Sequence, residues 1–443
     1  MTLAADRTTG PRTPEPSRGG RDAAVDAARA ACLLVVFVLH AMMVGVSVGP
    51  DGPVLENAFD GWAWFAPVSW VVQVMPLFFV IGGYAGWTAW RRSRERGDGA
   101  TGFVRGRLGR LVRPAIVLIL VVAAGLVALT MAGVPADVVE IAGHRIGQPL
   151  WFLAVYLGCT ALVPAMVRLH ERHPVTTVVA LAVAVVAVDA TRFATGIDAI
   201  GFANLAFVWL LMQQLGFWLA DGRIERMSRR GRIRLAVSAL AALLVVTLAG
   251  PYSADLFANL NPPTVCLVLL GVAQLMLFSL VRAPLRRWAG RDAPAAAIAR
   301  FGEWGMTLYL WHLPAFVAVA GLLLVGHEVV GVELPEPLTA PWWLSRPLWL
   351  VAAALATALV VRGFARWERG SARRGGATRL APTWRVVPVW LAVPAGVVGV
   401  GVLLVIGFAP VPACVALALL AVALRGARRP VAETSVARVA LRA

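Results

Sequence analysis

Three residues in the first apolar run of the chain, Asp26, Arg29 and His40, have the types and the spacing for group-transfer chemistry. An ionisable side chain inside a run long enough to cross a bilayer costs on the order of 2.5–3.5 kcal/mol on insertion scales, so such residues mark functional positions. From Arg29 to His40 a helix advances about 1100°, three turns plus about 20°, which puts both on one face about 16 Å apart along the axis. Asp26 lies one turn before Arg29, placed to orient its guanidinium. A guanidinium holds phosphate. An imidazole, which titrates near neutrality, deprotonates a hydroxyl. The pair suits a donor with an anionic head and a long arm that presents a thioester three turns deeper. A plainer reading stays open: His40 bonded to a neighbouring helix, with Arg29 snorkelling to lipid phosphate.

Other residues offer support. Arg107, Arg110 and Arg113 follow i, i+3, i+6 spacing just before an apolar run. They read either as a clasp for donor phosphates or as ordinary anchors at the membrane surface. Tyr309 and His312 are one turn apart on a late run, at a depth similar to His40. They either line the same cavity or hydrogen-bond between helices in a supporting role. Trp151 reads as an interfacial aromatic or as a platform for an acceptor. Gly82-Gly83 reads as a site of close helix packing. His144, His170, His173 and His327 fall in loops or at run ends and carry no reading. Cys32, Cys159, Cys266 and Cys414 lie far apart inside apolar runs. They predict buried small hydrophobes, without a disulfide framework or a metal site.

The elements that must position these residues are transmembrane helices. Of the 443 residues, 59% are hydrophobic and 15% charged, against about 25% charged in a soluble domain. Ten apolar runs fall near 25–48, 67–90, 114–133, 149–167, 175–189, 203–220, 235–250, 263–281, 304–325 and 347–365. The formal charge is +17, every cationic side chain being arginine. The arginines crowd the even connections, as at Arg91 to Arg113, Arg168 and Arg172, Arg223 to Arg234, and Arg282 to Arg300. The odd connections instead carry acids such as Asp51, Glu56, Asp60, Glu328 and Glu333. The positive-inside rule places the N-terminus and the even connections in the cytoplasm of a multi-pass cell-membrane protein. It also accounts for the arginines without nucleic acid. The fold class is all-α, a polytopic bundle with a ten-span core and a C-terminal extension of one or two spans. The predicted divisions are a disordered N-terminus (1–21), the core (22–366), a basic linker (367–385), a membrane hairpin (386–424) and a basic tail (425–443).

Asp26-x2-Arg29-x10-His40 resembles the first-span signature of the acyltransferase 3 family of membrane O-acyltransferases. Phe78-Phe79-Val80-Ile81-Gly82-Gly83 is similar to the family's FFxxSG element, with Gly82 where serine is usual. Arg107-x2-Arg110-x2-Arg113-Pro114, Leu150-Trp151-Phe152-Leu153 and Thr307-Leu308-Tyr309-Leu310-Trp311-His312 resemble further elements in the family's order. The resemblance implies an enzyme that uses acyl-CoA as donor substrate, with no tightly bound cofactor. It also implies that Arg29 and His40 are essential. The expected reaction moves an acyl group, acetyl or another short chain, to a hydroxyl of a glycan, lipid or secreted small molecule, including O-acetylation in the cell envelope. The alternative class is a transporter or flippase of an envelope precursor, without acyl transfer. The oligomeric state is left open.

Overall fold

The computed structural model describes residues 22–49, 52–374 and 386–428. The predicted N-terminal segment 1–21, most of the linker 367–385 and the tail from 429 onward lie outside the described residues. Among the described residues, eleven helical segments are long and apolar enough to cross a membrane, and a further apolar helix is shorter. The chain is a multi-pass membrane protein of the all-α class. Leu344, Leu348, Val351, Leu355 and Leu359 form an exposed stripe on one late helix. Such a surface is at home against lipid.

Helix α1 (Ala23–Met43) carries Asp26, Arg29 and His40. Asp22 caps it, accepting from the Ala24 and Val25 amides at 2.9 and 3.3 Å. The helix ends five residues before the apolar run does. Val44-Gly45-Val46-Ser47-Val48 alternates β-branched residues with small ones and forms β1 (Val44–Gly49), antiparallel to β2 (Gly52–Asn57). Hydropathy cannot separate that strand from the helix before it. Carbonyls at the end of α1 and the start of β1 bond to side chains of a late helix. Trp349 Nε1 donates to Ala41 O at 2.7 Å and Arg346 to Val44 O at 3.3 Å.

The second apolar run is broken. Helices α2 (Phe65–Val72) and α3 (Met75–Glu95) flank a gap at Gln73 and Val74. Pro76 has no amide hydrogen to continue the ladder and restricts the residue before it. Groups freed at the break need partners within the protein, and the Gln274 side chain supplies them. It accepts from Leu77 N at 3.1 Å and donates to Gln73 O at 2.8 Å.

Helix α4 (Ala100–Met131) is followed by α5 (Ala136–Gly147) and α6 (Leu150–Arg172), with Pro149 between the last two. Helix α7 (Pro174–Thr195) and a 3-10 turn (Asp198–Ala203) lead into α8 (Asn204–Ala220). Gly83 of α3 faces α8 so closely that a Cβ there would lie 2.3 Å from Gln213 O, and one on Gly216 would lie 2.1 Å from Val80 O. Glycine is the residue that allows this approach, as read from Gly82-Gly83, although Gly83 alone of the pair is in tight contact.

The short α9 (Arg223–Arg226) precedes α10 (Arg229–Leu248), α11 (Val265–Ala289), α12 (Asp292–Val330) and α13 (Ala340–Arg374). Helices α14 (Val389–Ile406) and α15 (Pro410–Gly426) then form an antiparallel hairpin. Gly426 abuts Ala392, and Gly399 abuts Leu419, so α15 returns to the level at which α14 begins. At 17 residues α15 is shorter than the span-length helices, of which α14 is the last.

Side-chain pairs gather the helix ends into two faces. On one, Arg94 pairs with Glu171 at 2.9 Å, and Arg282 pairs with Asp22 at 2.8 Å and with Glu225. The first pair joins the ends of α3 and α6, and the second ties the start of α1 to α11 and to Glu225; one cavity lined by Asp22, Arg92 and Arg107 puts the ends of α1, α3 and α4 on the same face. On the opposite face, Asp189 is buried and accepts from Asn204 at 2.8 Å, Tyr252 at 3.0 Å and Val265 N at 2.9 Å. Burial, together with the Asp189 carboxylate, pushes the Tyr252 phenol above its ordinary pKa, which keeps it a donor.

Candidate active site

His40 and His312 meet where α1 packs on α12. His40 Nδ1 lies 2.8 Å from His312 Nε2, and the rings are within 7° of parallel. His312 is 1% exposed. Phe37 and Phe316 pack against His312, with ring centroids 6.3 and 5.5 Å from it, and against each other at 5.0 Å. His312 Nδ1 is 2.7 Å from the carbonyl of Tyr309 in its own helix. A carbonyl only accepts, so Nδ1 of His312 carries the hydrogen. With both rings neutral, His312 Nε2 is then the acceptor and His40 Nδ1 the donor. The lone pair left over is on His40 Nε2, the position a general base needs.

His40 lines a cavity of about 580 Å³ on the face opposite the arginines. Trp151, Phe152 and Tyr309 line it too, with polar groups from Gln73, Arg145 and Gln148. The broken second span presents Gln73, and the α5–α6 break presents Gln148. The Tyr309 hydroxyl donates to Pro149 O and so fixes that second break against α12. Trp151 is held beside Trp209, with centroids 5.8 Å apart.

A second cavity, of about 410 Å³, opens on the arginine-rich face. Asp26 and Arg29 line it from α1, Arg92 from α3, and Arg107 and Arg110 from α4. Arg113 does not; it is exposed and outside the cavity. Two steps of three residues rotate a helix about 120° away from its starting face, so of the three arginines expected to act together only Arg107 and Arg110 line this cavity. Arg107 lies over the Phe103 ring, its guanidinium carbon 5.3 Å from the centroid. Gly82 faces the cavity at ordinary contact distance from Tyr156.

An aromatic septum divides the cavities. Phe152 lines the first, Phe79 and Tyr156 the second. Phe152 stacks on Tyr156 with centroids 5.3 Å apart and meets Phe79 edge-on at 5.5 Å. Arg29 and His40, on one helix, therefore serve cavities on opposite sides of it.

Several residues of this arrangement carried no reading in the sequence. Gln213 and Gln214, adjacent amides in the sixth apolar run, were the available signal. Gln213 donates to Cys159 O at 2.8 Å and lines the arginine-side cavity. Gln214 and Asp221 hold the buried His170 at 3.1 and 3.0 Å, which makes His170 a structural link between α6 and α8. Among the described residues, no group of three or more His, Cys, Asp or Glu side chains could hold a metal ion.

A protein-family model described as an acyltransferase domain, acyltransferase 3, matches residues 22–366. The chain belongs to that family. No curated protein and no solved structure matches it.

Proposed function

We propose that this membrane acyltransferase moves an acyl group from cytoplasmic acyl-CoA to a hydroxyl presented from the opposite face, with His40 as general base. The observation that carries the reading is the pair of cavities joined by one helix face, with Arg29, Arg92, Arg107 and Arg110 in one and His40 in the other. The positive-inside rule makes the arginine-rich face cytoplasmic and so orients the N-terminus. Arg29, Arg107 and Arg110 neutralise the donor's phosphates. Its arm runs along α1 toward the septum. His40 Nε2 takes the proton of the acceptor hydroxyl as that oxygen attacks the thioester carbonyl. The tetrahedral intermediate collapses, the C–S bond breaks, and the imidazolium returns the proton to the leaving thiolate. His312 fixes the His40 tautomer and accepts a stronger hydrogen bond from the imidazolium, as a buried orienting partner does in hydrolytic triads. Trp151 offers a stacking face to a sugar-like acceptor.

A transporter would also use two cavities on opposite sides of a septum. Purified protein in lipid nanodiscs separates the readings. Acetyl-CoA and longer acyl-CoAs are supplied together with sugar, glycolipid and small-molecule alcohols as acceptors, and free thiol is measured. Acyl transfer gives thiol release that His40→Ala abolishes in a folded protein. Release that persists in that variant rejects the base. Intact thioester with every acyl-CoA rejects acyl-CoA as the donor.

A further inference from the structure

We infer that the C-terminal hairpin α14–α15 is a specificity element of the His40 cavity and selects an acceptor alcohol that carries an aliphatic chain. The inference rests on the acyl-transfer reading above and names its acceptor class. The hairpin lies beyond the matched residues 22–366, yet it is built into the bundle. Ala392, Val400, Ala416, Leu420 and Ala423 are buried against the α4–α6 core. At its tip Phe408 seats on α5, where Cβ atoms on Gly143 and Gly147 would meet it at 3.2 and 3.5 Å. Helix α5 presents Arg145 to the cavity, so the hairpin braces a polar part of the wall.

The hairpin also contributes wall of its own. Leu404 and Val405 line the cavity with Val36 of α1 and Val317 of α12. Val405 is 84% exposed, so here the cavity wall continues onto the outer surface of the protein. That surface belongs to an 18-residue helix without a charged residue, a stretch suited to lipid contact. The cavity therefore offers two chemistries within reach of His40. Gln73, Arg145 and Gln148 suit a polar, hydroxyl-bearing part. Val36, Val317, Leu404 and Val405 suit an alkyl part that arrives from the lipid.

The test uses the full-length protein in nanodiscs with acetyl-CoA, and two acceptors, methyl β-glucoside and hexyl β-glucoside. Burying a methylene favours binding by up to about fourfold, so the hexyl compound should have at least about a tenfold higher kcat/KM. Leu404→Asn/Val405→Asn should bring that ratio close to one. Val405 is exposed, and size-exclusion elution checks that the variant is folded. Equal kcat/KM for the two glucosides in the wild type overturns the inference. So does a preference that survives the double substitution, since partitioning into lipid alone would give that result. Thiol release to water with neither glucoside acylated overturns the acceptor class while keeping the donor. Thiol release with other alcohols but not with these glucosides likewise overturns the acceptor class, whereas absence of thiol release with every alcohol rejects the acyl-CoA reading beneath it.

Discussion

His40 Nδ1 and His312 Nε2 stand 2.8 Å apart across the α1–α12 contact, 272 positions apart in the chain. Because His312 Nδ1 is already committed to the Tyr309 carbonyl, the relationship has a direction. His312 accepts, His40 donates, and the free lone pair of His40 is left on Nε2. In the proposed mechanism His312 is a positioning residue acting through His40. His312→Phe keeps an aromatic ring but removes the acceptor. It should lower kcat on the order of 10²-fold, within the range that general-base catalysis contributes, and leave the KM for acyl-CoA unchanged. His312→Gln offers an amide oxygen to His40 and should recover part of that loss. Equal activity in the Phe and Gln variants would give His312 a packing role only.

Why the pair was half legible follows from the kind of information each residue carries. The Arg29–His40 spacing is local, and helix geometry converts it directly to a shared face. The partnership with His312 depends on which helices pack together, and one sequence does not encode that openly; Tyr309 and His312 were legible as a nearby turn at similar depth. Charge alternation made the connections readable because arginine placement is an energetic rule of the bilayer surface. The break at Gln73, the strand at Val44–Gly49 and the polar wall residues escaped because hydropathy averages over them. The departure of Arg113 from its expected cluster comes from the helical angle accumulated over six residues.

Arg107 and Arg110 line the arginine-side cavity with Arg29, and Arg113 does not. The double variant Arg107→Ala/Arg110→Ala should raise the KM for acyl-CoA about tenfold or more, since a hydrogen bond to a charged group contributes about 1.5–3 kcal/mol. Its kcat should change less, because phosphate contacts hold ground state and transition state alike. Arg113→Ala is the internal control, with an unchanged KM. If Arg113→Ala weakens the donor as much as the double variant does, the effect is general surface charge and not a clasp.

Gly82 and Gly83 are neighbours with opposite tolerance. A Cβ on Gly83 meets the Gln213 backbone at 2.3 Å, whereas one on Gly82 meets the edge of the Tyr156 ring at 3.4 Å. Gly83→Ala must push α3 from α8 and should cost about 1–3 kcal/mol, seen as an earlier thermal unfolding transition in detergent. Gly82→Ser, which installs the family's usual residue, should stay within about 0.5 kcal/mol of the parent. Comparable losses in both variants would mean that the α3–α8 contact is not as close as described.

One alanine inserted after Val35 tests the shared face directly. The insertion rotates everything beyond it by about 100° and lengthens α1 by about 1.5 Å. The helix then cannot satisfy both ends. If its first half stays, with Asp22 held by Arg282, His40 turns away from His312. If its second half stays, with Trp349 bonded to Ala41 O, Arg29 turns out of the arginine-side cavity. Membrane insertion should survive, because the span remains apolar and long enough. Activity should fall nearly as far as in His40→Ala. Arg29→Lys is the milder companion; it keeps the charge but loses the planar fork, so the KM for acyl-CoA should rise without loss of membrane insertion. Full activity in both variants would show that Arg29 and His40 do not act on one substrate.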